Sequence, residues 1–197
     1  LGGGVADYFN WTININGQEQ AKDTYTTTEF TNQAIDWVAE QEQPWFLWLA
    51  YNAPHTPFHL PPTDLHNRNL TGDEQDITRN PRDYYLAAVE AFDSEIGRLL
   101  ASMSEDMRAN TTILFIGDNG TPGRAKDENA LVNGSKGSVY EGGIRVPMIV
   151  SGAGVSRIGE RESALINGTD FYTTILSLSG KSGESAHDSE SFHALLS

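Results

Sequence analysis

Thr111-Thr112-Ile113-Leu114-Phe115-Ile116-Gly117-Asp118-Asn119-Gly120 is the stretch on which the reading of this chain turns. Its first six residues are β-branched, aliphatic or aromatic, the types that fit a pleated surface. The run is short and closed by glycine, so it predicts a buried strand. It ends directly in a carboxylate and an amide. Side by side, those are hard oxygen donors that suit Ca²⁺ or Mg²⁺. Asn119-Gly120 is also a strong signal for a type I′ hairpin turn, and spacing alone leaves both readings open. Two oxygen ligands are few, since Ca²⁺ takes roughly 6–8.

Working outward, Trp45-Phe46-Leu47-Trp48-Leu49-Ala50-Tyr51 reads as another buried strand and Val146 to Ser151 as a third. Thr26 to Gln41 reads as an amphipathic helix, with Thr26 or Thr27 as its cap and Glu29 in its first turn. Asp83 to Met103 carries Tyr85, Val89, Phe92, Ile96, Leu99 and Met103 as one apolar stripe, the strongest helix signal in the chain. Asp170 to Ser179 reads as a further helix. Residues 1–25 are rich in Gly and Asn and read as loop, residues 62–80 as a surface excursion. The tail from Gly180 reads as weakly structured until Phe192. This order predicts an α/β layered sheet, with strands 45–51, 111–117 and 146–151 side by side. In such sheets ligands gather at the carboxyl ends of strands. Two such ends, 52–59 and 117–120, are polar here.

The chain has 197 residues, 38% of them hydrophobic, with a formal net charge of −14 and no cysteine. The length suits one domain with a sizeable core. The acidic excess argues against nucleic acid as a partner, which needs clustered Lys and Arg. It still allows an anionic substrate, because salt screens distant charges beyond about 10 Å. Without cysteine there is no disulfide or thiolate metal site in this chain. No apolar run reaches the roughly 18 residues of a membrane-spanning helix. Leu1 opens the chain without an initiator Met, so it reads as a processed or excised piece.

Two further segments carry chemistry. In Asn52-Ala53-Pro54-His55-Thr56-Pro57-Phe58-His59, prolines on both sides stiffen the loop around His55. An imidazole so held could donate a proton to a leaving group. A loop histidine bonded only to backbone is the plainer alternative. Sequence does not separate ligand from filler at His59. In Gly134-Ser135-Lys136-Gly137, glycines let backbone approach an anion while the Lys136 ammonium supplies charge. A solvated surface lysine is the alternative. Glu141 and Arg145 read as a structural brace.

Together these segments resemble the sulfatase family of the alkaline phosphatase superfamily. The resemblance rests on three motifs in this order: Ala53-Pro54-His55-Thr56-Pro57 after one strand, Asp118-Asn119-Gly120 after another, and Gly134 to Pro147 with its Lys-Gly and Tyr-Glu-Gly-Gly-x-Arg-Val-Pro pattern. It covers roughly residues 20–196. It implies an alkaline phosphatase-like α/β fold: a layered mixed sheet flanked by helices, present here as a partial domain. It also implies a sulfuric ester hydrolase, with His55 and Lys136 as catalytic and substrate-binding residues and Asp118 and Asn119 as metal ligands for Ca²⁺ or Mg²⁺. The family's nucleophile, a formylglycine made from Cys or Ser in a Cys/Ser-x-Pro/Ala-x-x-Arg segment, lies outside this chain. So does the family's first Asp-Asp ligand pair. Residues 1–197 therefore read as the C-terminal part of a sulfatase catalytic domain that lacks the nucleophile segment, inactive in isolation. The implied partner is a sulfated small molecule or glycan, and the implied location periplasmic or secreted. A phosphate or phosphonate ester hydrolase of the same superfamily and a non-catalytic fragment are the alternatives. Asp188 to Leu196 departs from the family's Asp-Gly-x-Ser-x-x-Pro-Leu-Leu by losing Gly and Pro.

Overall fold

The computed structural model describes residues 6–181 and 186–197. In chain order the elements are β1 (Trp11–Ile15), β2 (Gln18–Lys22), α1 (Thr26–Ala39), α2 (Glu74–Arg79), α3 (Pro81–Ser102), α4 (Glu105–Ala109), β3 (Thr112–Ile116), α5 (Glu141–Ile144), β4 (Met148–Gly152) and α6 (Asp170–Leu178). The α/β reading holds. The chain divides into two compact units, one of residues 1–104 and 119–145, the other of 105–118 and 146–197.

The first unit opens with a hairpin where sequence reading expected loop. β1 and β2 pair antiparallel from Trp11↔Lys22 to Ile15↔Gln18. Asn16 and Gly17 both have positive φ, 52° and 86°, as a type I′ turn requires. Trp11 fixes the hairpin to α1. Its ring meets Phe30 edge-on at 5.4 Å and its Nε1 donates to the Thr24 carbonyl. Lys22 pairs with Glu29 across 2.6 Å.

The α1 helix begins earlier than a cap at Thr26 or Thr27 would place it. Tyr25 occupies the cap position without a side-chain bond, and Thr26 and Thr27 are fully buried instead. α1 packs against α3. The buried face of α3 is Tyr84, Ala87, Ala88, Ala91, Glu95 and Leu99. The expected stripe is therefore rotated: Tyr85, Val89, Phe92 and Ile96 are only half-buried. Small alanines let a helix backbone approach its neighbour, and packing outweighs hydrophobicity in choosing the face. Buried Glu95 is compensated by Thr28 Oγ1, which donates to it at 2.7 Å, and by the Arg98 guanidinium. The core around Tyr8, Tyr25, Ala53 and Ala91 lies beneath the His55 loop.

The segment 45–51 corrects the sequence reading. It forms no strand, and Phe46 and Trp48 are 60% and 80% exposed. Its side chains alternate between half-buried and exposed, as in an extended chain. A strand needs a neighbour's backbone groups, and no strand among the described residues pairs with this one. Within the excursion 62–80 the structure adds α2, which Tyr84 fixes by donating to Asp76 at 2.6 Å.

In the second unit, β3 and β4 pair antiparallel from Thr112↔Gly152 to Ile116↔Met148. Two of the three expected sheet neighbours therefore do lie side by side. Gly152 has φ +92°, and a Cβ there would strike the Thr111 carbonyl. Thr112 Oγ1 donates to the Ala153 carbonyl, closing the end of the ladder. Against α6, Phe192 packs its ring on Phe171 at 5.4 Å and donates its N–H to Thr174 Oγ1. The Ser177 hydroxyl meets His193 Nδ1 at 2.7 Å, so the tail after 186 is docked rather than loose. Residues 182–185 of that tail lie outside the described residues.

Candidate active site

His55 stands exposed at the crest of a loop whose underside is aromatic. Its N–H closes a turn onto the Asn52 carbonyl at 2.9 Å. Beneath, the Tyr8 hydroxyl approaches the carbonyls of Asn52 and His55 at 3.0 and 2.8 Å. Tyr8 is 1% exposed and stacks on the His59 ring at 3.9 Å. His59 Nδ1 lies 2.9 Å from the Pro57 carbonyl, and a carbonyl only accepts, so Nδ1 carries the proton. That leaves Nε2 to accept from the Tyr25 hydroxyl at 3.0 Å. Burial lowers the His59 pKa and keeps the ring neutral. Burial also pushes both phenols up, Tyr25 to about 12, so neither ionises near neutrality. His59 is thus a structural bolt under the loop.

The same logic assigns the His55 tautomer. Its Nδ1 lies 2.7 Å from the Thr56 carbonyl and donates to it. The ring nitrogen left to meet another molecule is Nε2.

Asp118 is exposed and ends the segment that carries β3. Its peptide neighbour Asn119 opens the loop that leads to Lys136. Asn119 Oδ1 is buried with no hydrogen-bond partner. A buried acceptor left unpaired costs about 1–3 kcal/mol, a cost that a cation on that oxygen would relieve. An orphaned amide oxygen is a donor of the kind that fits a hard divalent cation. Among the described residues no group of three or more His, Cys, Asp or Glu could hold a metal. Asn119-Gly120 is not the hairpin turn, because neither residue has positive φ. Gly120 is required for another reason: its N–H donates to the Gly143 carbonyl at 2.9 Å, and a Cβ would collide with Gly142.

Lys136 is held by its backbone and free at its tip. Its N–H donates to the Thr121 carbonyl at 2.9 Å, which brings its backbone beside the stretch that follows Asn119. Its exposed ammonium has no partner among the described residues. Glu141 of α5 and Arg145 at its C-terminal cap pair weakly across 3.4 Å, as a brace would. Side chains that the sequence reading passed over tie this loop to the His55 loop. The Arg124 guanidinium lies 6.0 Å over the Phe58 ring, and Phe58 abuts Tyr85 of α3 edge-on. Arg82 of α3 pairs with Asp127 at 2.8 Å. His55, Asn119 and Lys136 thus belong to one unit whose loops are cross-braced. Tyr8 was also passed over, and nothing in its Gly- and Asn-rich surroundings signals a buried phenol.

A protein-family model described as Sulfatase matches residues 4–181. An Escherichia coli (strain K12) protein described as uncharacterized sulfatase YdeN is 31% identical over 178 residues, 88% of this chain and 31% of that protein. The chain thus spans about a third of that relative. The crystal structure of Ps i-CgsB in complex with k-i-k-neocarrahexaose superposes with a TM-score of 0.69 at 30% identity, over 86% of this chain and 37% of that one. A second structure, BT4656 in complex with D-glucosamine-2-N,6-O-disulfate, reaches a TM-score of 0.74 at 20% identity, over 96% of this chain and 56% of that one. The fold is the α/β fold of those structures, alkaline phosphatase-like and present as part of a domain. With these matches beside its three polar segments, the chain belongs to the sulfatase family.

Proposed function

We propose that this chain is the C-terminal part of the catalytic domain of a sulfuric ester hydrolase, with the formylglycine nucleophile in a segment outside it. The observation that carries the reading is Asn119 Oδ1, buried without a partner at the head of the loop that presents Lys136. Asp118 and Asn119 would hold Ca²⁺ or Mg²⁺. When bound, such a cation neutralises charge on sulfate oxygens as a Lewis acid. Lys136 opposes the charge that develops as the ester bond breaks. His55, with Nδ1–H engaged by the Thr56 carbonyl, would in its doubly protonated form use Nε2–H to protonate the leaving oxygen or to hold a sulfate oxygen. An amide at Asn119 suits one hard cation, where an imidazole would suit zinc. That favours sulfate over phosphate esters.

The substrate class we propose is a sulfated small molecule or glycan. The saccharide bound to the 30%-identical Ps i-CgsB supports a sugar. No described helix is long and apolar enough to cross a membrane. A periplasmic or secreted location is proposed from family likeness alone.

The test has two arms. In the full-length enzyme, His55→Ala, Lys136→Ala and Asp118→Ala should each abolish or severely reduce turnover of an aryl sulfate, and unchanged activity of Asp118→Ala would overturn the ligand assignment. The 197-residue chain should be silent on aryl sulfates and bind Ca²⁺ weakly by calorimetry. Micromolar affinity lost in Asp118→Ala would mean that the site is more complete than two donors.

A further inference from the structure

We infer that Lys126 is a positioning residue for Lys136, an inference that rests on the proposed role of Lys136 in holding sulfate. The two lysines are ten residues apart and have opposite fates. The Lys136 ammonium is exposed and unpartnered among the described residues. The Lys126 ammonium is spent on backbone: Nζ donates to the carbonyls of Val132 at 2.6 Å and Gly134 at 2.8 Å. An ammonium carries three donors and no acceptor, so one compact charge can tie two carbonyls at once.

What it ties is the entry to the Lys136 turn. Carbonyl and N–H point opposite ways across a planar trans peptide. In the Gly134–Ser135 peptide the oxygen is held by Lys126, and the Ser135 N–H is held by Ser138 Oγ at 3.2 Å. That plane is therefore fixed from both sides, one residue before Lys136. Gly134 has φ +80°, and a Cβ there would strike Ser138 Oγ, so the chain has little room to recover by another path. Lys126 itself is anchored. It follows the one-turn helix Gly123–Ala125, whose Ala125 is 3% exposed, and precedes Asp127, which pairs with Arg82 of α3. The ammonium thus carries the position of α3 into the loop that presents Lys136.

The test compares Lys126→Met, which keeps the length and loses the donors, with Lys126→Arg, which can still reach two carbonyls. In the full-length enzyme, Lys126→Met should lower kcat/KM for an aryl sulfate by about tenfold or more, as misplacement of a catalytic group does. Lys126→Arg should recover most of that loss. In a Lys136→Ala background, Lys126→Met should cost nothing further, because coupled residues are non-additive. Equal losses in both backgrounds would overturn the proposal and reduce Lys126 to general stability. Amide exchange of the 197-residue chain supplies the readout that needs no activity. Lys126→Met should speed exchange at the Lys136 N–H roughly tenfold and leave the β3–β4 amides unchanged; unchanged Lys136 protection would also overturn it. Absence of aryl sulfate turnover in the wild type would sink the sulfatase reading instead, and exchange would still decide whether Lys126 holds the loop.

Discussion

The loop that carries His55 and the loop that carries Lys136 solve one problem by different means. Each must hold an exposed side chain on irregular backbone. Under His55 the work falls to side chains: Tyr8, His59 and Tyr25 form a buried hydrogen-bonded stack beneath carbonyls 52, 55 and 57. Around Lys136 most of the work falls to backbone, with the Lys126 ammonium and the Ser138 hydroxyl added to it. Gly120 bonds to Gly143, Gly142 bonds to Asn133, and Lys136 bonds to Thr121, all N–H to carbonyl at 2.7–2.9 Å. The first arrangement depends on what the side chains are. The second depends on glycine at three positions, since Cβ atoms on Gly120, Gly142 or Gly143 would enter neighbouring backbone.

The contrast can be broken most strongly at Gly143. A methyl group there meets the Ser138 and Ser135 carbonyls, which cannot move aside as a flexible side chain would. Gly143→Ala should cost about 3 kcal/mol, the upper range for overpacking, read as a lower urea midpoint at unchanged slope. Gly137→Ala is the control. It has φ +85° but nothing within 4 Å of its added Cβ. It should cost only about 1–2 kcal/mol for a left-handed alanine. Equal losses would mean that conformation, not close approach, dictates the glycines of this loop.

Tyr8→Phe tests the other means of support. The Asn52 carbonyl keeps its bond from the His55 N–H, whereas the His55 carbonyl loses the hydroxyl at 2.8 Å. A loss of about 1–2 kcal/mol is expected for the hydroxyl. His55 ring resonances should shift with it, while those of Lys136 stay put. A shift at Lys136 of similar size would mean that the two loops are one mechanical unit rather than two.

Both strands of the β3–β4 pair and the three long helices were legible because their patterns are local. What escaped was decided by partners far along the chain. The aromatic run 45–51 has strand composition, but composition cannot supply a paired backbone. The α3 stripe was placed on the larger apolar residues, yet alanines at 87, 88 and 91 face inward, because close helix packing favours small side chains. The hairpin signal exists twice. At Asn16-Gly17 it sits between Trp11-x-Ile13-x-Ile15 and a second run, and there it makes the turn. At Asn119-Gly120 no alternating run follows, and the glycine serves close approach instead. Flanking period, rather than the dipeptide, separates them. The candidate site residues were named from spacing and family resemblance. Their supports, Tyr8, His59 and Lys126, were not, because a buried tyrosine and a lysine bound to carbonyls leave no local pattern.

The smallest expected effect is one of pH, and it separates the two loops without a mutation. His59 is neutral in the fold, and burial sets its pKa below the ordinary 6.5. A base whose pKa is lowered on folding binds fewer protons folded than unfolded. Its contribution to stability is therefore complete above about pH 6.5 and is lost as pH falls through the lowered folded-state value. The Lys136 loop presents no imidazole: its bonds run peptide to peptide, joined by those of the Lys126 ammonium and the Ser138 hydroxyl. Mild acid should thus loosen the His55 loop first. Amide exchange, corrected for intrinsic rates, should show protection at His55 falling as the pH drops below about 6.5. Protection at Lys136 and Gly142 should hold steady across that range. His59→Gln should remove the pH dependence by removing the titrating group, at the cost of the stack on Tyr8. Persistence of the acid-induced loosening in His59→Gln would assign it to the carboxylates of this acidic chain, and the His55 loop would then be no more acid-sensitive than its neighbour.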